Sequence, residues 1–271
     1  MSGHIRAALR VELRKVTSTP LWWILAGGAF LYLAFMGAVM AFGVSVPVEE
    51  GGLAAEGLSS EAMTMSIYGL PASMGYVFPL VLGALAITGE YRHGTLTQSL
   101  LVDPSRSRLL LAKIAVQAGF GAVLGLCSVA GVTLAGAGVS LLTDTPTYLD
   151  TLKAWETLGL TVLALALWGM VGVGFGALVP NQVASIVIIL AFTQLLEPLL
   201  RLGLAALGDV ASQVSLYLPG AAAEALVGAS IYTAIGGADL LSRWAGGLVL
   251  LAYAVAFALL GRVTTLRRDV A

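Results

Sequence analysis

Charge is scarce in this chain. Only 11% of its 271 residues are Asp, Glu, Lys or Arg, against roughly a quarter in an ordinary soluble domain. Cysteine occurs once, as Cys127 within an apolar stretch, so no intrachain disulfide can staple the fold. The two histidines, His4 and His93, form no His-Glu-x-x-His pair for zinc. The three lysines, Lys15, Lys113 and Lys153, follow Arg14, Ala112 and Leu152. No Gly-Lys exists, and a P-loop needs one to hold nucleotide phosphates. These absences exclude a soluble enzyme, a disordered protein, a disulfide-rich secreted domain and a P-loop ATPase.

What the chain has is hydrophobic length, with 58% apolar residues arranged in long runs. Runs of 18 or more read as membrane spans. Six are expected: Leu21–Val46, Ile67–Thr88, Leu109–Leu142, Leu152–Val179, Val183–Leu200 and Ala245–Val263. Thr19-Pro20 is a sound start for the first helix, because proline tolerates the first turn. Its polar lead-in of about 20 residues suits a retained anchor rather than a cleaved signal. Pro71 and Pro79 predict a kink in the second span. The third run would reach roughly 50 Å at about 1.5 Å per residue, so it should project from the bilayer or tilt. Pro180-Asn181-Gln182 makes a tight turn between the fourth and fifth spans. The whole is expected to be one all-α membrane domain of six transmembrane helices, residues 1–271.

Placing both termini on one side collects Arg6, Arg10, Arg14, Lys15, Arg92, Arg106, Arg108, Lys113, Arg262, Arg267 and Arg268 there. The other side holds only Lys153, Arg201 and Arg243. The positive-inside rule then puts both termini in the cytoplasm. Glu49, Glu50, Glu56, Glu61, Asp144, Asp150 and Glu156 fall on the outer side, and every acid is expected at or beyond a span end.

Between and before the spans lie segments of different character. In the first 20 residues, Ile5, Leu9, Leu13 and Val16 fall within an arc of about 80° on a helical wheel. Arginines line one flank of that arc, and Glu12 and Lys15 the other. Such a helix suits the headgroup plane, although a plain positive lead-in would also set topology. Residues 202–242 are too long for a turn and too apolar for a solvated tail. A short helix opened by Pro219 is expected there, dipping into the outer leaflet with Glu224 inside it. A seventh span would put the C-terminal arginines outside, against the charge rule. Gly121-x-x-x-Gly125 and Gly172-x-x-x-Gly176 let helices approach closely, within a subunit or across a dimer. Glu197 and Arg201, spaced i,i+4, read as an ion pair that anchors the fifth span or belongs to an outer gate.

The loop after the second span, residues 90–108, carries the sharpest signal. Gly94 permits an abrupt redirection. Thr95–Val102 then allows two helical turns with Leu96 and Leu100 on one face, and Asp103-Pro104 is expected to cap and open the next helix. A short helix with an apolar face toward the cytosol suits docking into a groove on a soluble partner. On pattern alone, an amphipathic loop helix resting on the membrane is an equal reading.

Glu90-Tyr91-Arg92-His93-Gly94-Thr95-Leu96, with Leu100-Leu101, Pro104, Arg106, Arg108 and Ala112-Lys113 following, resembles the segment after the second span in ABC type-2 transporter permeases. The lead-in helix, six spans and helical outer segment agree with that resemblance over essentially the whole chain. It implies a permease that binds no cofactor itself and pairs with a second permease subunit, a homodimer by preference. ATP and Mg would be bound by a separate P-loop ATPase subunit. The plasma (inner) membrane is the implied location, the lipid bilayer the implied surroundings, and no nucleic acid is implied. The loop would be the coupling helix, with Glu90, Tyr91, Arg92, Gly94, Thr95, Leu96, Leu100, Pro104, Arg106 and Arg108 forming or framing the ATPase contact. Export of drugs, antibiotics, lipids or polysaccharide-type cargo is implied without a choice among them.

Other classes fare worse. An intramembrane enzyme needs catalytic groups at depth, and both histidines lie outside the spans. An ion-coupled secondary transporter would place ionisable groups near the midplane, at a cost of about 2.5–3.5 kcal/mol for each buried ion. That alternative, with a non-transport membrane scaffold, rests on finding such groups.

Overall fold

The computed structural model describes residues 2–46, 59–102, 105–230 and 240–264, and all regular structure among them is helical. A lead-in helix, α1 (Ser2–Thr17), precedes the first long apolar helix, α2 (Leu21–Ser45). The second span, Ser60–Arg92, is built from α3 (Ser60–Leu70), a π-helical turn (Pro71–Gly75) and α4 (Val77–Arg92). After the short α5 (Thr95–Val102) come α6 (Arg106–Leu142) and α7 (Leu152–Leu178). The fifth span, Gln182–Ala206, consists of α8 (Gln182–Ala191), a second π-helical turn (Phe192–Leu196) and α9 (Glu197–Ala206). Then follow α10 (Asp209–Ser215), α11 (Pro219–Val227) and the last long helix, α12 (Arg243–Thr264). Among the described residues, six helical segments are thus long and apolar enough to cross a membrane.

Local chemistry explains the boundaries. Ser59, Ser105, Thr151 and Asn181 each accept the amide three residues on, capping α3, α6, α7 and α8. The α6 cap is therefore Ser105, where Asp103-Pro104 was expected; residues 103 and 104 lie outside the described residues. The predicted kink in the second span is the π-turn that starts at Pro71, where the proline cannot continue the α-helical ladder. Pro79 falls in the first turn of α4, where a missing amide is tolerated. At 37 residues, α6 extends about 55 Å and outreaches a bilayer core.

The bundle is organised around α7, which packs on α4, α6, α11 and α12. Trp168 of α7 is fully buried and stacks on Tyr76, ring centroids 4.5 Å apart. Both small-residue faces are used inside the chain. A Cβ on Gly121 would lie 2.6 Å from the Leu165 carbonyl oxygen, and one on Gly176 would lie 2.6 Å from that of Ala84. The glycines thus let α6 and α4 approach α7 backbone to backbone.

Two expectations need correction. The fifth span runs on to Ala206, so Glu197 lies inside it, about 22 Å along the helix from its start. Glu197, 2% exposed, is therefore not at or beyond a span end; Glu224 of α11 does lie beyond the fifth span, but it too is buried, at 1% exposed. The apolar length of the run disguised this, because a single acid does not interrupt a hydropathy window. Helix α11 does open at Pro219, and Gly228, with φ of +75°, ends it. All nine of its residues are buried, chiefly against α12, α7 and the π-turn of the second span. Residues 231–239 of the expected outer segment, Glu49, Glu50, Glu56 and the C-terminal Arg267 and Arg268 lie outside the described residues.

Gly176→Ala should force α4 away from α7 and lower stability by about 1–3 kcal/mol. Gly119→Ala, with open space at its Cβ, should leave stability unchanged or slightly raised. Unfolding of both variants in mixed detergent micelles measures the difference.

Candidate functional site

The second span ends on a designed break. The His93 amide still bonds the Gly89 carbonyl at 3.0 Å, closing the last turn of α4. Gly94 then adopts φ of +66°, a left-handed conformation that a side chain would disfavour, and the chain turns into α5. Helix α5 does not present Leu96 outward, as the expected solvent-facing apolar face required. Leu96 is 2% exposed and packs with Ile87, Leu110, Val173 and Ala177, keying α5 into the bundle. Among the described side chains of α5, Leu101 is the exposed apolar one, at 81%. The side chain of Leu100, and all of Pro104, lie outside the described residues.

Around the foot of α5 the structure gathers four charges from three elements. Lys113 of α6, only 2% exposed, donates to Glu12 Oε2 at 2.6 Å, to Glu90 Oε1 at 2.7 Å and to the Ala86 carbonyl at 2.9 Å. Those bonds match the three donors of an ammonium group. Lys15 of α1 bridges the same two carboxylates, at 2.7 Å to Glu12 and 2.6 Å to Glu90, and reaches Ser99 Oγ of α5 at 3.2 Å. The charges balance in pairs, which is the condition for burying them at all. Burial pushes the Lys15 ammonium down, but its bonds to Glu12 and Glu90 outweigh this and hold it above the usual lysine range. Lys15 is therefore charged at neutral pH.

One oxygen is left over. Glu90 Oε2 is buried with no hydrogen-bond partner among the described residues. Glu90 borders a cleft of about 750 Å³ between α1, α5 and α6, lined also by His4, Lys15, Gln98, Ser99 and Arg108. A second crevice of about 550 Å³ lies beside it, where Tyr91 and Arg92 face the Pro180-Asn181-Gln182 turn. Arg92 donates to Gln182 Oε1 at 3.4 Å across that crevice. Thr95 and Arg92 are exposed, whereas Arg106 and Arg108 are half-buried at the start of α6.

Of the residues picked out from sequence, Glu90, Tyr91, Gly94, Thr95, Leu96 and Arg108 thus converge on one end of the bundle. Glu12 and Lys15 were placed only on the flank of an amphipathic wheel, and Lys113 only in an Ala-Lys pair. Their meeting was not foreseen. The available signal was a lone lysine inside Leu109-Leu110-Leu111-Ala112-Lys113-Ile114, which a buried segment tolerates only with a partner. The site is, among the described residues, a network of matched charges and hydrogen bonds without a nucleophile–base pair. Among the described residues, no group of three or more His, Cys, Asp or Glu could hold a metal ion.

Lys113→Met should leave two buried carboxylates sharing Lys15 and destabilise the protein by about 3–5 kcal/mol. Adding Glu12→Gln should recover part of that loss. Unfolding midpoints, with proteolytic cleavage at the α4–α5 junction as the local readout, check both statements.

Residues 8–195 match the family of ABC-2 family transporter proteins, from within α1 through the first four candidate spans and α5 to the second π-turn, inside the fifth span. No curated protein matches the chain. The family match covers more than half of the sequence, and the chain belongs to the ABC-2 transporter family. It is a multi-pass, non-catalytic membrane component of a transporter, of a family without cofactors whose ATP is bound by partner ATPase subunits. That membership displaces the scaffold and ion-coupled readings.

Proposed function

We propose that this ABC-2 permease is one of two identical membrane subunits of an exporter in the plasma (inner) membrane, driven through α5 by a separate ATPase. In this reading α1, α5 and both termini are cytoplasmic, as the arginine and lysine distribution favours. The observation that carries it is the buried ion cluster at the foot of α5. Because Lys113 holds Glu12 and Glu90 together, and Lys15 joins them to Ser99, a displacement of α5 cannot be confined to α5. It is passed to α1, α4 and α6 at once.

The residues divide by task. Glu90, Gly94 and Leu96 hold α5 at a defined angle, while Tyr91, Arg92, Thr95, Leu100, Pro104, Arg106 and Arg108 form or frame the surface that meets the ATPase. Leu101 adds the exposed apolar anchor that such a short docking helix needs. Closure of the ATPase pair on ATP would press the two α5 helices and rock the spans between inward and outward access. Amphipathic or lipophilic cargo suits spans made largely of Gly, Ala, Leu and Val. Two differently tagged copies of the chain are expected to purify together.

The test is the isolated complex. Leu101→Asp should reduce the retained ATPase activity at least tenfold, because a docking anchor of about 2 kcal/mol or more is lost, while the unfolding midpoint stays unchanged. Glu90→Gln should retain the ATPase but uncouple hydrolysis from transport. Full coupled transport by both variants would overturn the assignment of α5.

A further inference from the structure

The half of the bundle far from α5 contains a polar chamber that the coupling reading does not use. It has a volume of about 260 Å³ and lies between α2, the two π-helical turns and the start of α11. The two π-turns face each other across it: the Tyr76 hydroxyl, just after the first, donates to the Thr193 carbonyl of the second at 3.0 Å. A π-turn adds one residue to a helical turn and redirects side chains, and it recurs at functional sites. Here the first turn directs Ser73 and the second leads into Glu197, both of which line the chamber.

Among the described residues, the chamber holds two carboxylates and one guanidinium. Arg201 donates through Nη1 to Glu224 Oε2 at 2.9 Å and through Nη2 to Glu197 Oε1 at 3.2 Å. Glu197 Oε1 also receives the Gly220 and Ala221 amides, at 2.7 and 3.1 Å, and Glu224 Oε2 receives the Ser230 hydroxyl. One oxygen of each carboxylate is thus well supplied with donors. Glu197 Oε2 and Ser73 Oγ are both buried, and neither has a hydrogen-bond partner among the described residues. In the interior of a membrane protein an orphaned carboxylate oxygen demands a donor.

We infer that this chamber is a binding site for the ammonium head group of a lipophilic amine, with Glu197 Oε2 and Ser73 Oγ as its acceptors. An ammonium group brings three N–H donors and one positive charge, matching one formal negative charge in excess and two free acceptors. A resident calcium or magnesium ion fits poorly, because a single excess negative charge beside the Arg201 guanidinium does not balance a divalent ion. The hydrocarbon part lies along Met74, Pro198 and the Tyr32 ring; Gln194 also lines the chamber, its Nε2 turned to Thr193 Oγ1 at 3.5 Å. Thr193 also borders an apolar crevice of about 150 Å³ containing Trp168, Phe192, Pro219 and Phe257, which gives bulkier amines room beside the head-group site. The inference names a cargo class for the exporter reading and rests on that reading only for the word cargo.

The experiment uses the full permease with its ATPase in lipid nanodiscs, without nucleotide, and follows dansylcadaverine fluorescence. Its N-acetyl derivative, equally apolar and uncharged, is the comparison. The wild type should bind the amine at least tenfold more tightly than the amide. Glu197→Gln should abolish that preference, and Ser73→Ala, which removes an unpartnered hydroxyl and leaves the fold intact, should weaken amine binding several-fold. Equal binding of the two probes by the wild type would overturn the proposal, and would identify Glu197 as a neutral, protonated group in a water-filled chamber. That wild-type comparison stands even if Glu197→Gln does not fold. Full ATPase retention and coupled transport in Leu101→Asp and Glu90→Gln, with an intact amine preference in the wild type, support the chamber alone. Loss of ATPase retention in Leu101→Asp with no amine preference in the wild type removes the chamber and leaves the coupling helix standing.

Discussion

The ammonium group of Lys113 is the point on which this end of the molecule depends. It is buried at the start of a helix otherwise apolar enough to cross a bilayer, and it can stay charged there only because Glu12 and Glu90 come to it from two other helices. That requirement works in both directions. It draws α1 down onto the bundle through Glu12, and it sets where α4 must end so that Glu90 arrives at the right height. Lys15 completes the neutralisation and, through Ser99, brings α5 into the same cluster. A helix of only eight residues, which would be marginal alone, is thereby given a fixed foot.

The packing at the other levels is consistent with a body that moves as connected pieces. Helix α7 touches α4 and α6 through glycines that leave no slack between backbones, so those three helices are closely keyed. The second and fifth spans are each interrupted by a π-turn, and they touch through Tyr76 and Thr193. These interruptions lie far from α5, at a height where the chain buries Glu197 and Glu224. Each polar cluster leaves one carboxylate oxygen open: Glu90 Oε2 beside the cleft under α5, and Glu197 Oε2 in the chamber. An ABC-2 permease must meet an ATPase at one end and a cargo within the membrane, and the two unsatisfied oxygens mark different places.

The architecture was largely legible because bilayer-length apolar runs leave little ambiguity. Four of the six spans agree with the expected ones to within a few residues, and Gly94 and Pro219 mark real boundaries. The second span was foreshortened, since Ser60–Ser66 carries too many polar residues to enter a hydropathy window. The fifth was cut at Leu200, which concealed how deep Glu197 lies. Pro71 announced one π-turn, but nothing in Phe192–Leu196 announces the other, because π-turns have no distinctive composition. For α5, pattern indicated a short helix but not its inward face. Leu96 and Leu101 are the same residue type, yet one is the key and the other is exposed. In a membrane protein, hydrophobicity does not separate core-facing from outward-facing positions, because both are apolar.

The sequence by itself determined the number of spans, the uneven charge of the two ends and the absence of a nucleotide-binding loop. Each of these follows from runs, counts or motifs that are local in the chain. Only the tertiary structure decided how the buried charges are matched. Glu12 and Lys113 are 101 residues apart, Glu197 and the Gly220 amide 23, and no periodicity or spacing rule links such positions. Their pairing is set by helix packing, because in a low-dielectric interior a charge must sit within hydrogen-bond reach of its counter-charge or not be charged at all.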